Sequence, residues 1–321
     1  MKTIVAATFG FVLLLTLIPL TVFLVYGGQP AQLLTSYVRN TPTVAPSVPE
    51  YGEDSEPFVV PVMRYATQEL EEIDLEAYVK GVVASEMSPG FEMEALKAQS
   101  IAARTFAVFQ LQRRDHLYDT VMSQVFRDES QLRERWGDDF DRHWERISEA
   151  VLATEGQIMT HNGEPIDALF FSMSNGRTEN SEEVFTAKRP YLRSVDSPWD
   201  LQAPRFEVET EFTLAEFRRL LGDNNLTASD IAILSRSEGG NALEVQVGNR
   251  TMAGTEFRRL LGLRSTDFSL RGDNNNVLIT TRGNGHGVGM SQYGANFLAG
   301  LGKTYDYILN FYYQEIEITE K

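Results

Sequence analysis

The chain contains no cysteine. That excludes disulfide staples, and with them zinc or iron–sulfur sites held by thiolates. Histidine is scarce, with four residues at 116, 143, 161 and 286. Their scatter offers no ligand pair, and no resident metal or other cofactor is expected. Basic charge is in the minority: 29 Lys and Arg stand against 45 Asp and Glu, a net charge of −16. So acidic a surface suits neither nucleic acid, which is bound mainly by neutralising phosphates, nor anionic lipid headgroups. Charge is missing altogether between Lys2 and Arg39.

What fills that gap is apolar. Residues 4 to 26 read IVAATFGFVLLLTLIPLTVFLVY. As a helix they would extend roughly 34 Å, enough to span a bilayer core. A cleaved signal peptide usually has a shorter apolar region and a small-residue cleavage site, so an uncleaved anchor over 1–28 is expected. Lys2 lies on the short side, which places the N-terminus in the cytoplasm and the bulk of the chain outside it. Residues 29–57 follow as a linker. Pro42, Pro46, Pro49 and Pro57, set among small and acidic residues, favour an extended, partly polyproline chain.

The folded part then runs from 58 to 321, and its expected class is α+β, mixing helices with short strands around a cleft. FVVPVMRY (58–65) reads as a strand, with Pro61 placing it at a sheet edge or making it irregular. Asp74 is a good N-cap, and the helix after it ends at SPG, 88–90. A second, alanine-rich helix is expected over about 92–112, and a charged helical stretch over 112–149. Beyond it, GQIMTH, PIDALFFSMS, RFEVETEF, ALEVQVG and NVLITTRG read as strands. EFRRLLG occurs at 216–222 and again at 256–262, which predicts two similar amphipathic helices with a packing role.

Three places carry chemistry. In the first helix Leu75, Tyr78, Val79, Val82 and Val83 form an apolar face, and the next member of that face is Glu86. At a helix C-terminus, in a partly apolar surround, a carboxyl is pushed towards its neutral form by the helix dipole and by desolvation. A general acid needs that shift. A surface glutamate on a fraying last turn would fit the same pattern. The second place is RGNGHGVGMSQYGA, where Gly283, Gly285, Gly287 and Gly289 alternate around His286. Alternating glycine suits a backbone held against a ligand or another segment. The third, 170–200, is a long loop of Ser, Asn, Thr and Tyr, suited to sugar hydroxyls and N-acetyl groups or simply well capped.

Taken together, SEM-x-P/G with FEMEALKAQSIAARTF, SNGRTENSEEVF with PYLRSVDSPWD, and RGNGHGVGMSQYGA closely resemble the stage II sporulation protein D family. The three blocks stand in the family's order and the resemblance covers about 58–318. It implies a membrane-anchored lytic transglycosylase that cuts peptidoglycan glycan strands during forespore engulfment, facing the septal space. Glu86 matches the glutamate of the family's SEMP motif and so would be the catalytic acid. Arg104, Ser174, Tyr191, Ser194, His286, Ser291, Gln292 and Tyr293 fall inside the matching blocks and are expected to line the substrate groove. The resemblance also implies two partners: stage II sporulation protein P, an amidase, and protein M, a membrane protein. Some members carry a zinc site after the AART helix, but the corresponding stretch here, DTVMSQVF, has Met122 and Ser123 instead. Asn175 stands where the family has a Gly, and Asn284 where it commonly has Trp. Two other roles compete with catalysis: a glycan-binding activator of a separate amidase, and an extracytoplasmic scaffold.

Overall fold

The computed structural model describes residues 58–185, 187–273 and 275–320. Its first sheet is built on β1 (Val59–Met63), which pairs antiparallel with β2 (Leu70–Asp74) and parallel with β3 (Leu117–Tyr118). Pro61 is tolerated in this central strand because β3 pairs only with Val62 and Met63. The position that lacks an N–H therefore needs a partner on one side alone.

Asp74 ends β2 and caps α1 (Leu75–Glu86), accepting hydrogen bonds from the amides of Glu76 and Ala77 at 3.0 Å. Helix α2 (Met93–Leu111) lies at the centre. Its alanines 95, 98, 102, 103 and 107 are buried and admit α1, α4 and α8 at close range. The expected helix over 112–149 is a loop up to Asp128, then α3 (Glu129–Trp136) and α4 (Phe140–Leu152). Strands β4 (Gln157–His161), β5 (Glu164–Pro165) and β14 (Glu317–Glu320) form one small sheet. A parallel pair joins β6 (Phe170–Phe171) to β13 (Met290–Ser291). The short α5 (Ser181–Phe185) lies in the polar loop, and α8 (Gln292–Gly300) and α9 (Tyr305–Tyr312) close the body over α2.

Between residues 207 and 282 the chain builds a second core. Strands β7 (Glu207–Thr213), β12 (Asn276–Arg282) and β11 (Phe268–Gly272) form one antiparallel sheet. Strands β8 (Ile231–Arg236), β9 (Ala242–Val247) and β10 (Arg250–Ala253) form another. The repeated EFRRLLG forms α6 (Leu214–Leu221) and α7 (Gly254–Leu261). Each copy buries its Phe and second Leu, and each ends on a left-handed glycine, Gly222 or Gly262. The first Arg of each copy donates to a carbonyl just past that glycine, Arg218 to Leu226 and Arg258 to Leu263.

The expected fold class is corrected in its membrane part. Among the described residues no helix is long and apolar enough to cross a membrane. The longest, α2, carries Glu94, Lys97 and Arg104, which a bilayer interior would reject. The anchor expected at 1–28 and the linker at 29–57 lie outside the described residues. A single-pass membrane protein is accordingly not supported, and what stands is a mixed α/β body.

Candidate active site

Glu86 is the last residue of α1, on the helix face whose earlier members Tyr78, Val79, Val82 and Val83 are fully buried. The carboxyl itself is half-buried. Burial pushes its pKa above the usual carboxylate range, against two opposing effects: a hydrogen bond from the Val125 amide and the nearby positive charge of Arg127. The amide donates to Oε1 at 2.7 Å, and among the described residues no hydrogen bond reaches Oε2.

The loop that delivers this amide is fixed from several sides. Gln124 Nε2 donates to the Ala103 carbonyl at 3.2 Å, and the Phe126 ring stacks on Tyr78 with centroids 5.4 Å apart. Past Glu86, the SPGF turn is held by Arg146, whose guanidinium donates to the carbonyls of Pro89 (2.9 Å) and Phe91 (2.7 Å). The Phe91 ring meets Tyr293 edge-on at 5.1 Å. Of the groove candidates, Tyr293 is thus tied directly to the stretch that follows Glu86.

The other candidates lie as follows. Arg104 is fully buried and makes a two-pronged ion pair with Glu76, at 2.7 and 2.6 Å, plus a bond to the Gln157 carbonyl. Ser174 and Ser291 are buried and both bond Asp200, at 2.5 and 2.9 Å. Ser291 also caps α8. The Tyr191 hydroxyl accepts from the Asp167 amide. Ser194 accepts from Arg177 and donates to the Thr178 carbonyl. Gln292 reaches Gln99 on α2. His286 sits against the rings of Phe171 and Phe185, and burial with the nearby Arg258 charge lowers its pKa to about 4.

The four alternating glycines all have positive φ, between 76° and 119°. The backbone at 169–179 is what they approach: a Cβ on Gly283 would stand 3.0 Å from the Met173 carbonyl oxygen, and one on Gly287 3.0 Å from Glu179 Cγ. The loop amides are spent internally, with Gly283, Asn284 and Gly285 donating to Phe206, Met173 and Arg264. The glycine run therefore serves to dock one matching block on another.

Several other carboxylates in the matching blocks have partners of their own. Glu94 holds Lys97 and the Tyr305 amide. Glu182 pairs with Arg193, which lowers its pKa to about 2. Glu183 accepts from Asn180. Glu179 is fully buried against Ser237 and Asn241, and desolvation raises its pKa to about 7.

Two features were not read from the sequence. Val125 contributes through its backbone, which leaves no trace in residue type. Asp200, the hub for Ser174, Ser197 and Ser291, is one acid among 45; its position inside PYLRSVDSPWD was the available signal. Among the described residues no group of three or more His, Asp or Glu is arranged to hold a metal ion.

Residues 64–161, which contain α1, α2 and the loop over Glu86, match the family model described as SpoIID, Stage II sporulation protein. The chain is 44% identical over 273 residues to stage II sporulation protein D of Bacillus subtilis (strain 168), covering 82% of this chain and 80% of that one. It is 39% identical to stage II sporulation protein D of Bacillus amyloliquefaciens, over 100% of this chain and 96% of the relative. A Bacillus subtilis protein named amidase enhancer is 27% identical over 75% of this chain and 40% of its own length. With identity at this level over most of both partners, the chain belongs to the stage II sporulation protein D family.

Proposed function

We propose that the chain is a peptidoglycan lytic transglycosylase in which Glu86 acts first as acid and then as base. The observation that carries this reading is the state of that one carboxyl. It is half-buried at a helix C-terminus, with a raised pKa, one oxygen held by an amide and the other without a protein partner among the described residues.

The chemistry follows. Protonated Glu86 gives its proton to the oxygen bridging N-acetylmuramic acid and N-acetylglucosamine as the C1–O bond breaks. The resulting carboxylate takes the proton from the C6 hydroxyl of the same muramic residue. That oxygen closes on C1, leaving a 1,6-anhydro end and regenerating the acid. No water is consumed, and the intramolecular nucleophile brings a large proximity advantage. A hydrolase would need a second carboxylate about 5–9.5 Å away; Asp119, which acts on Tyr78 and Arg127 as Glu86 does, is the group that route would call on. Of the groove residues named from the family blocks, Ser194, His286 and Tyr293 keep some exposure and are proposed as substrate contacts on that resemblance, Tyr293 being the one additionally tied to the Glu86 stretch; Arg104, Ser174, Tyr191, Ser291 and Gln292 are buried and are proposed to shape the groove from behind. Septal wall remodelling during engulfment, and stage II sporulation proteins P and M as partners, are proposed on family membership.

A second reading is favoured by the relative named amidase enhancer: a glycan-binding activator of an amidase, for which Glu86 is dispensable. Digestion of purified glycan strands in heavy-oxygen water separates the two. The proposal expects 1,6-anhydro ends without heavy oxygen. Labelled reducing ends would make the chain a hydrolase, and an absence of cleavage would favour the activator.

A further inference from the structure

Gly81 lies in the middle of α1. An interior glycine destabilises a helix relative to alanine. Its φ is not positive, so conformational freedom does not account for it. Space does. A Cβ here would run into the Phe126 ring and stand 2.5 Å from the Arg127 carbonyl oxygen.

The loop has little room to retreat. The Phe126 ring stacks on Tyr78 and carries the Arg64 guanidinium 5.2 Å from its centroid. The Phe126 amide is bonded to the Asp119 carbonyl at 3.2 Å. Gln124, two residues earlier, is anchored on α2. The residue between Gln124 and Phe126 is Val125, whose amide meets Glu86 at 2.7 Å.

We infer that Gly81 is a positioning residue for Glu86: its missing side chain lets the 124–127 backbone lie directly on α1, and that contact sets the Val125 amide on Oε1. An amide can only donate, so Oε1 must accept. The acidic proton is thereby assigned to Oε2, the oxygen without a protein partner among the described residues. The amide thus selects which oxygen delivers the proton as well as holding the carboxyl still. The titratable and charged groups acting around it are Tyr78 on α1, Arg127 on the loop and, through these two, Asp119 and Arg135 of α3.

The inference rests on reading Glu86 as the acid, but its test does not depend on turnover. Amide spectra of the full chain are recorded from pH 4 to 8. The Val125 amide is expected to titrate with Glu86, and this transition is expected to vanish in Glu86→Gln. In Gly81→Ala the amide should lose that transition. Glu86, deprived of a bond that favours its ionised form, should titrate at higher pH, moving the alkaline fall of activity upward. kcat should drop up to about 10²-fold, with KM within about twofold, as expected for a misplaced catalytic group. If Gly81→Ala does not fold, Phe126→Ala leaves the glycine in place, frees the loop and should shift the same titration upward. A Val125 amide indifferent to Glu86→Gln, or an unchanged Glu86 midpoint in the folded variant, overturns the inference. Absence of glycan cleavage with the amide behaving as described would instead overturn the proposed activity and leave the positioning role standing.

Discussion

Glu86→Gln preserves the size of the side chain and an acceptor for the Val125 amide, and removes the proton that the proposed reaction needs. Glycan cleavage is expected to fall by about 10²–10⁴, with an unchanged melting temperature below pH 4.5, where a carboxyl with a raised pKa is neutral in the parent as well; the check is turnover beside calorimetry on matched samples. Glu179 makes a separable prediction. Its folded pKa, about 7, lies above its ordinary value of 4.5. The stability it contributes is therefore complete below pH 4.5 and is lost as pH rises through 7. Glu179→Gln keeps the acceptor for Ser237 and Asn241, so the variant should melt higher than the parent at pH 8 and much the same at pH 4.5. His286 acts with the opposite sign: its folded pKa near 4 makes stability fall as pH drops from 6.5 towards 4. Of these residues Glu86 and His286 were legible as unusual in the sequence, the first because a helical period marks an intruding carboxylate, the second because glycines alternate around it. Nothing periodic surrounds Glu179 or Asp200; their burial comes from segments distant in sequence.

Helix α1 is fastened at both ends by different means. Its last turn is held through Glu86 and the loop, while its first turn is held by Glu76, which grips Arg104 of α2. Arg104 is fully buried and Glu76 only partly so. Glu76→Gln leaves the guanidinium without its counter-charge, and the loss of stability is expected at about 3 kcal/mol, the low end for a buried pair because Glu76 keeps some solvent. Thermal unfolding measures this. Cleavage per folded molecule, assayed well below the lowered melting point, should stay near the parent value if Arg104 serves packing alone. Elements with a clear period or cap were readable: Asp74 before α1, the alanine face of α2, the paired EFRRLLG helices. The segment 112–128, dense in charge, reads as helical from local pattern but is a loop. Its conformation is set instead by tertiary partners, the Ala103 carbonyl, the Tyr78 ring and the space at Gly81, which local pattern does not encode. Pro61 misled in the other direction, since a short third strand lets a proline occupy a central position.

The described residues hold two hydrophobic cores, one around α2 and one within 207–282. Polar contacts join them. Asn175 donates to the Gly239 carbonyl at 2.6 Å and to Asp267 at 2.9 Å. Arg177 pairs with Glu238. Replacing both Asn175 and Arg177 by Ala should separate the unfolding of the cores into two calorimetric transitions where the parent shows one. A single unaltered transition would mean that the coupling runs elsewhere. The existence of the second core was not legible, although five of its elements were, because alternating strands do not declare which partner they will pair with.

The second core enters and leaves the body through adjacent positions: Glu207 faces Arg282 across the β7–β12 ladder, and Gly283 donates to the Phe206 carbonyl at 2.9 Å. This has a mechanical consequence. Tension applied along the main body passes from one strand to the other at that first rung, so the 207–282 segment hangs beside the line of force. Under load it should yield as a separate lengthening, rung by rung from the Glu207–Arg282 end.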